Sequence, residues 1–277
     1  MTLIDGRAIA AAIRSEVAAE VAALKSAGVS PTLAIVLPTR DEAAVWYVGS
    51  LERAGAELGI DVRRVELDEP AEEELAASLD ELSLDPGVHG IICQTPLPEG
   101  LALATVAEHV AAAKDVDGAN PVSLGRLTAG QRCFAPATAQ AVVEILHREQ
   151  VPLAGANAVV VGRSIVVGKP AAMLLLAENA TVTVCHSKTA DLAAETRRAD
   201  VLVVAAGKAA MIGAEHVKPG AVVIDVGTNP SPDGGIAGDV DTAAVEPVAK
   251  AITPVPGGVG PVTTAVLLRN VAAAARG

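Results

Sequence analysis

Residues 156–176 read ANAVVVGRSIVVGKPAAMLLL. The stretch divides into an apolar, β-branched run ending at Val161, a turn opened by Gly162, and a helix opened by Gly168 with Pro170 in its first turn. Gly162 lets the chain turn where a side chain would clash, Gly168 permits a close approach at the helix start, and proline suits a first helical turn. Backbone N–H groups and the positive end of the helix then face an anion. The spacing is Gly-x-Ser-x-x-x-Gly, not the usual Gly-x-Gly-x-x-Gly. The weight therefore rests on the segments beyond the turn: apolar runs at 181–185, 201–205 and 222–226, with a helical pattern at 190–199. This order predicts a doubly wound dinucleotide-binding domain. A plain strand-to-helix crossover with a tight turn is the alternative.

The second strand of that domain ends in Cys185-His186-Ser187-Lys188. A domain specific for NAD usually places Asp or Glu here to hold the ribose 2′-hydroxyl, and this run has neither. Arg163, Ser187 and Lys188 are available instead. Arginine can fork onto a phosphate and lysine offers a point charge, so the pattern favours NADP. Lys188 reads equally well as a solvated loop lysine.

Working back from the turn, 139–149 is a strong helical pattern and a candidate connector. Before it, helical patterns over 5–25, 41–58, 72–82 and 105–113 alternate with strand patterns at 32–38, 61–67 and 90–94. Residues 114–131 read as a long irregular loop. The first half is thus a second α/β layer with a parallel sheet. Beyond the turn, the glycine-rich run PVPGGVGP precedes a terminal helix over 261–275, which is expected to fold back on the first domain.

Bulk composition bounds the function. The 277 residues are 51% hydrophobic but only 1% aromatic, so the cores are aliphatic. The net charge of −12 argues against nucleic acid, which needs clustered Lys and Arg. Cys93, Cys133 and Cys185 are far apart and show no metal-ligand spacing, so no metal is expected. The opening residues lack a signal-peptide pattern and no apolar run reads as a membrane span. A reducing cytoplasm is the expected compartment.

With these residues in view, the chain resembles the methylenetetrahydrofolate dehydrogenase/methenyltetrahydrofolate cyclohydrolase family over essentially its whole length. The resemblance is carried by Tyr47-Val48, Gln94-Thr95-Pro96-Leu97-Pro98, Lys114-Asp115-Val116-Asp117-Gly118, Gly125-Arg126-Leu127, the glycine turn, Asp225-Val226-Gly227, Gly238-Asp239-Val240 and the run Thr253 to Pro261. It implies an α/β protein of two domains. A Rossmann-like NADP-binding domain would span 136–257. An α/β catalytic, folate-binding domain would span 1–135 and be completed by the C-terminal helix, 258–277. A homodimer is implied, with no nucleic-acid or membrane partner.

The resemblance also assigns roles. Asp117 would hydrogen bond the pterin, Tyr47 would flank the folate, and Gln94 would position and polarise the reacting centre. Pro256, Gly257 and Gly258 would wall the substrate site. Gly162, Arg163, Ser164, Val167, Gly168, Ser187, Lys188, Gly207, Gly227 and Thr228 would hold the cofactor. On the residues alone, Asp117 is a turn residue before glycine, Tyr47 a helix-face core aromatic and Gln94 a polar strand end.

One departure bears on chemistry. The family's helix reads Ser-x-x-Tyr-Val-x-x-Lys, whereas this one has Ala44 for the serine and Leu51 for the lysine. Positions 44, 47 and 51 recur on one helical face. Arg53, two residues further on, points about 200° away. Hydride transfer needs alignment, but cyclohydrolysis needs activated water and a proton shuttle. The expected activity is therefore NADP-dependent oxidation of methylenetetrahydrofolate, with cyclohydrolase weak or absent. Alternatives are the full pair of activities with another base, a non-catalytic folate or nucleotide binder, and a related two-domain dehydrogenase acting on a small acid. A second departure, Pro136-Ala137-Thr138-Ala139 for Pro-Cys-Thr-Pro, touches only local hinge geometry.

Overall fold

In chain order the computed structural model contains β1 (Thr2–Leu3), α1 (Gly6–Ser26), β2 (Thr32–Leu37), α2 (Glu42–Leu58), β3 (Asp61–Glu66), α3 (Glu72–Leu84), β4 (Gly90–Cys93), α4 (Leu103–Ala107), α5 (Pro121–Thr128) and α6 (Ala137–Arg148). It continues with β5 (Asn157–Val161), α7 (Gly168–Ala177), β6 (Thr181–Cys185), α8 (Leu192–Thr196), β7 (Val201–Val204), β8 (Val222–Asp225), β9 (Asn229–Pro230), β10 (Ile236–Ala237), α9 (Thr242–Val245), β11 (Ala251–Ile252) and α10 (Val259–Arg276). The described residues are 1–231 and 234–277. They divide into two units: Met1–Ala11 with Thr138–Thr263, and Ala12–Ala137 with Thr264–Gly277.

The first unit is built on a six-stranded sheet in the order β1-β11-β8-β7-β5-β6, with every neighbouring pair parallel. Its central strands are covered on both faces, which is why they read as unbroken Val and Leu runs rather than alternating ones. All four residues of β7 are fully buried. Val159, Leu202, Val204 and Val223 share one core cluster with Ile212 and Val245.

The second unit has a three-stranded parallel sheet in the order β3-β2-β4. Ala34, Val36 and Ile91 pack with Leu75, Leu79 and Leu82 of α3. The terminal helix packs into this unit over its last turns. Asn270 Nδ2 donates to Val116 O at 2.9 Å, and a Cβ on Gly90 would touch Val116 and Val271.

Most elements fall within a residue or two of the sequence-based bounds. The helix expected over 105–113 stops at Ala107. The loop expected over 114–131 contains α5, because Asn120 Oδ1 caps its start from Val122 N at 2.7 Å and Pro121 sits in the first turn. Residues 1–11 group with the six-stranded unit, not with the three-stranded one as the sequence boundaries had it. The reason is β1, which pairs with β11 and leads into an Ile4 N–H bonded to Ile252 O at 2.9 Å. Among the described residues, no helix is long and apolar enough to cross a membrane, and no cluster of His, Cys, Asp and Glu is set to hold a metal.

Candidate functional site

In the three-stranded unit the residues of interest sit on α2, at the end of β4 and in the loop after α4. Asp41 caps α2, its Oδ1 accepting from Ala44 N at 2.9 Å, and Gly59 ends the helix at φ +75°. Ala44, Val48 and Leu51 are buried on one side of that helix, Leu51 completely. Tyr47 is partly exposed. Its hydroxyl hydrogen bonds to the Thr264 side chain on α10, and the Asp117 carboxylate stands beside it. Burial and then the Asp117 charge push the phenol up to about 12, against the pull of Thr264. The spacing 44, 47, 51 thus delivers one helix face, with a hydrocarbon at its third position.

The run Lys114 to Gly118 divides its work residue by residue. Lys114 Nζ donates to Asp85 O at 2.6 Å, at the end of α3. Asp115, fully buried, accepts from Ala119 N at 2.9 Å, Asn120 N at 3.0 Å and Ser123 Oγ at 2.6 Å. Val116 is core. Gly118 has φ +60°, and a Cβ there would lie 2.4 Å from the Ala135 carbonyl carbon. Asp117 Oδ1 accepts from Ala137 N at 3.1 Å. Burial pushes its carboxyl up to about 6, the Ala137 N–H opposes this, and the Asp115 charge adds to it. Gln94 closes β4, with its N–H on Val36 O at 2.8 Å and its side-chain Nε2 on Thr95 O at 3.3 Å.

In the six-stranded unit the two glycines of the turn have no room for a side chain. A Cβ on Gly162, at φ +131°, would lie 2.2 Å from Ala205 O, and one on Gly168 would lie 2.2 Å from Gly162 O. Ser164 Oγ accepts from Val167 N at 3.2 Å and Gly168 N at 3.4 Å, capping α7 from inside the turn. Beside it is a cavity of about 530 Å³ whose lining includes Gly162, Arg163, Ser164, His186, Ser187 and Lys208. Lys188 is exposed and does not line it; its N–H donates to His186 Nδ1 at 3.1 Å. Val167, Gly168 and Gly207 shape the surrounding backbone rather than the cavity wall.

A second cavity of about 190 Å³ in the same unit brings together residues expected separately. Gly227 and Thr228, expected at the cofactor, share it with Pro256, Gly257 and Gly258, expected at the substrate, and with Arg7. Sequence reasoning missed Arg7, His186, Lys208 and Thr264. Of these, His186 and Lys208 border motif positions and carried a local signal; Arg7 and Thr264 are brought in by distant parts of the chain. The three cysteines are free, and burial raises all three thiols, Cys93 to about 12.

This geometry has a counterpart among known proteins. Residues 4–117 match the family model for the tetrahydrofolate dehydrogenase/cyclohydrolase catalytic domain, and residues 136–277 match the model for its NAD(P)-binding domain. The chain belongs to the tetrahydrofolate dehydrogenase/cyclohydrolase family. Within it, a bifunctional protein FolD of Parafrankia sp. is 60% identical over 277 residues, covering 100% of both chains. A crystal structure of the bifunctional FolD dehydrogenase/cyclohydrolase of Campylobacter jejuni matches with 41% identity and a TM-score of 0.97, covering 100% of this chain and 99% of that one. The Trypanosoma brucei FolD, solved with NADP cofactor and an inhibitor, matches with 37% identity and a TM-score of 0.94, covering 100% and 97%.

Proposed function

We propose that this family member oxidises 5,10-methylenetetrahydrofolate to 5,10-methenyltetrahydrofolate with NADP, and that it hydrolyses the methenyl product weakly or not at all. The oxidised dinucleotide supplies the hydride acceptor: one hydride leaves the methylene carbon, and methenyl cation and NADPH result. The chain's own residues fit that cofactor. The turn is closed at both ends by glycines whose positions have no room for a Cβ, and the cavity beside it is lined by Arg163 and Lys208 and by no carboxylate among the described residues. Cations there suit the extra 2′-phosphate.

Folate recognition falls to Asp117, Tyr47 and Gln94 in this reading. An ionised Asp117 accepts paired N–H donors of the pterin and holds the one-carbon unit in place. Tyr47 flanks the ring and Gln94 polarises the reacting centre. Pro256, Gly257 and Gly258 supply close-packed backbone. A homodimer is the proposed assembly.

The observation that carries the weak second activity is Leu51. It lies one turn after Tyr47 and is completely buried. Cyclohydrolysis needs water activated against the methenyl carbon and a proton delivered to a ring nitrogen, and a hydrocarbon does neither. Loss of such a group typically costs about 10²–10⁴-fold. The test is a paired assay on purified protein: NADP reduction with methylenetetrahydrofolate, and decay of methenyltetrahydrofolate against its spontaneous rate. No reduction at saturating substrate would sink the first half, and decay well above the spontaneous rate the second. A full bifunctional enzyme is the second reading. It is favoured by the names of the relatives and by Asp117, whose carboxyl titrates at about 6 beside Tyr47 and can exchange a proton near neutrality.

A further inference from the structure

We infer that Asp239 is a positioning residue for the dinucleotide: its buried carboxylate shapes the turn 206–208, which walls the cavity next to the glycine turn. The inference rests on the reading of that cavity as the cofactor site.

Asp239 is fully buried, and four donors converge on it. Ala206 N and Gly207 N donate to Oδ2 at 2.6 and 2.9 Å, and Lys208 N donates to Oδ1 at 2.8 Å. Asn229 Nδ2 adds a bond to Oδ1 at 2.8 Å. Three successive backbone N–H groups with Gly207 at φ +66° make a concave anion-binding turn of the kind that commonly holds a phosphate. Here a carboxylate of the same chain fills it.

That carboxylate is itself held in register. Asp239 N donates to Asp225 Oδ1 at 3.0 Å, Val240 N donates to Asp225 Oδ2 at 3.0 Å, and Asp225 N is held by Thr253 Oγ1 at 2.8 Å. Gly227 has no side chain because a Cβ would lie 2.4 Å from Asp239. A buried charge is costly unless hydrogen bonds saturate it, and this one is saturated entirely by groups of the cofactor unit.

The consequence is local. The turn starts at the carboxyl end of β7, where open parallel sheets bind ligands. Ala205, the contact that forbids a Cβ on Gly162, sits at its start, and Ala206 and Lys208 line the cavity. Asparagine at 239 would keep the shape but put an NH₂ donor against backbone N–H groups, so the turn must shift and Lys208 with it.

The experiment is Asp239→Asn, read by NADPH fluorescence titration, by separate KM values for NADP and folate, and by amide hydrogen exchange. The NADPH Kd should rise about tenfold or more while the folate KM stays within about twofold. Exchange should quicken at 206–208 and not along β8. A Kd within about twofold of wild type overturns the inference, as does an equal loss for both substrates, which marks a merely structural role. Should the variant not fold, Asn229→Ala removes one donor: a threefold or so weaker NADPH affinity supports the inference, and an unchanged one overturns it. Failure of the wild type itself to bind NADPH sinks the functional reading instead.

Discussion

Gly168 stands so close to Gly162 that a Cβ on the former would lie 2.2 Å from the carbonyl oxygen of the latter. Two chain segments six residues apart are in backbone contact, and the start of α7 is pinned against the end of β5. Gly168→Ala must therefore open the turn. We expect the KM for NADP to rise about tenfold or more with the folate KM little changed, measured by initial rates with each substrate varied. Gly162→Ala adds a left-handed backbone penalty of about 1–2 kcal/mol to its own clash, so its thermal midpoint should fall further than that of Gly168→Ala.

Leu51 offers a gain-of-function test. Leu51→Lys should raise methenyltetrahydrofolate hydrolysis by about 10²-fold over wild type if the rest of the pocket accepts it. No gain would mean that the pocket around it has diverged as well. Leu51→Ala is the control: it should cost about 2–5 kcal/mol of stability by leaving a cavity, read by chemical denaturation, and leave the hydrolysis rate unchanged.

Thr264 should matter through Tyr47. The chain has one tyrosine, so a ¹³C label on the phenol carbon gives a single resonance that reports the hydroxyl directly. Thr264→Val should move that resonance and raise the folate KM about three- to tenfold, the loss of about one hydrogen bond. Thr264→Ser should restore both. An unmoved resonance would show that Thr264 does not govern Tyr47.

Asp117 predicts two pH effects of opposite sense. In the proposed reading folate recognition uses the carboxylate, so kcat/KM for folate should fall as pH drops through about 6. Stability runs the other way. The folded carboxyl lies above its ordinary 3.8, so the native state holds the proton more tightly than the unfolded chain, and stability falls as pH rises from about 4 to 6. Asp117→Asn should remove its share of this slope, leaving that of Asp225, whose carboxyl burial also lifts to about 6, and gain of order 1–3 kcal/mol at neutral pH, measured by denaturation at a series of pH values, while losing folate turnover.

Much of this was legible in the sequence because it is local. The glycine turn, the caps of α2 and the buried strands all declare themselves within a few residues. α5 was missed although Asn120 and Pro121 announce a helix start, because Gly125 and Thr128 dilute its pattern. β1 and β11 have two residues each, too few for any periodicity, and they decide where the first residues belong. The site was legible by type rather than by function. Asp225 and Asp239 were visible as letters of two motifs, but the backbone groups that Asp239 holds are 31–33 residues away. Arg7 and Thr264 reach their places only through folding.

The run Lys114 to Gly118 carries a warning for mutational scans. Lys114 caps a helix, Asp115 folds a turn, Val116 fills a core, Gly118 allows a close approach, and Asp117 is the one proposed to meet the folate. Alanine at any of the five would depress turnover, and a screen that reads turnover alone would draw an active site five residues wide. Four of those losses should be recoverable by lowering the assay temperature or adding a stabilising osmolyte. The fifth should not, and that difference in reversibility, rather than the size of the defect, separates the joinery from the chemistry.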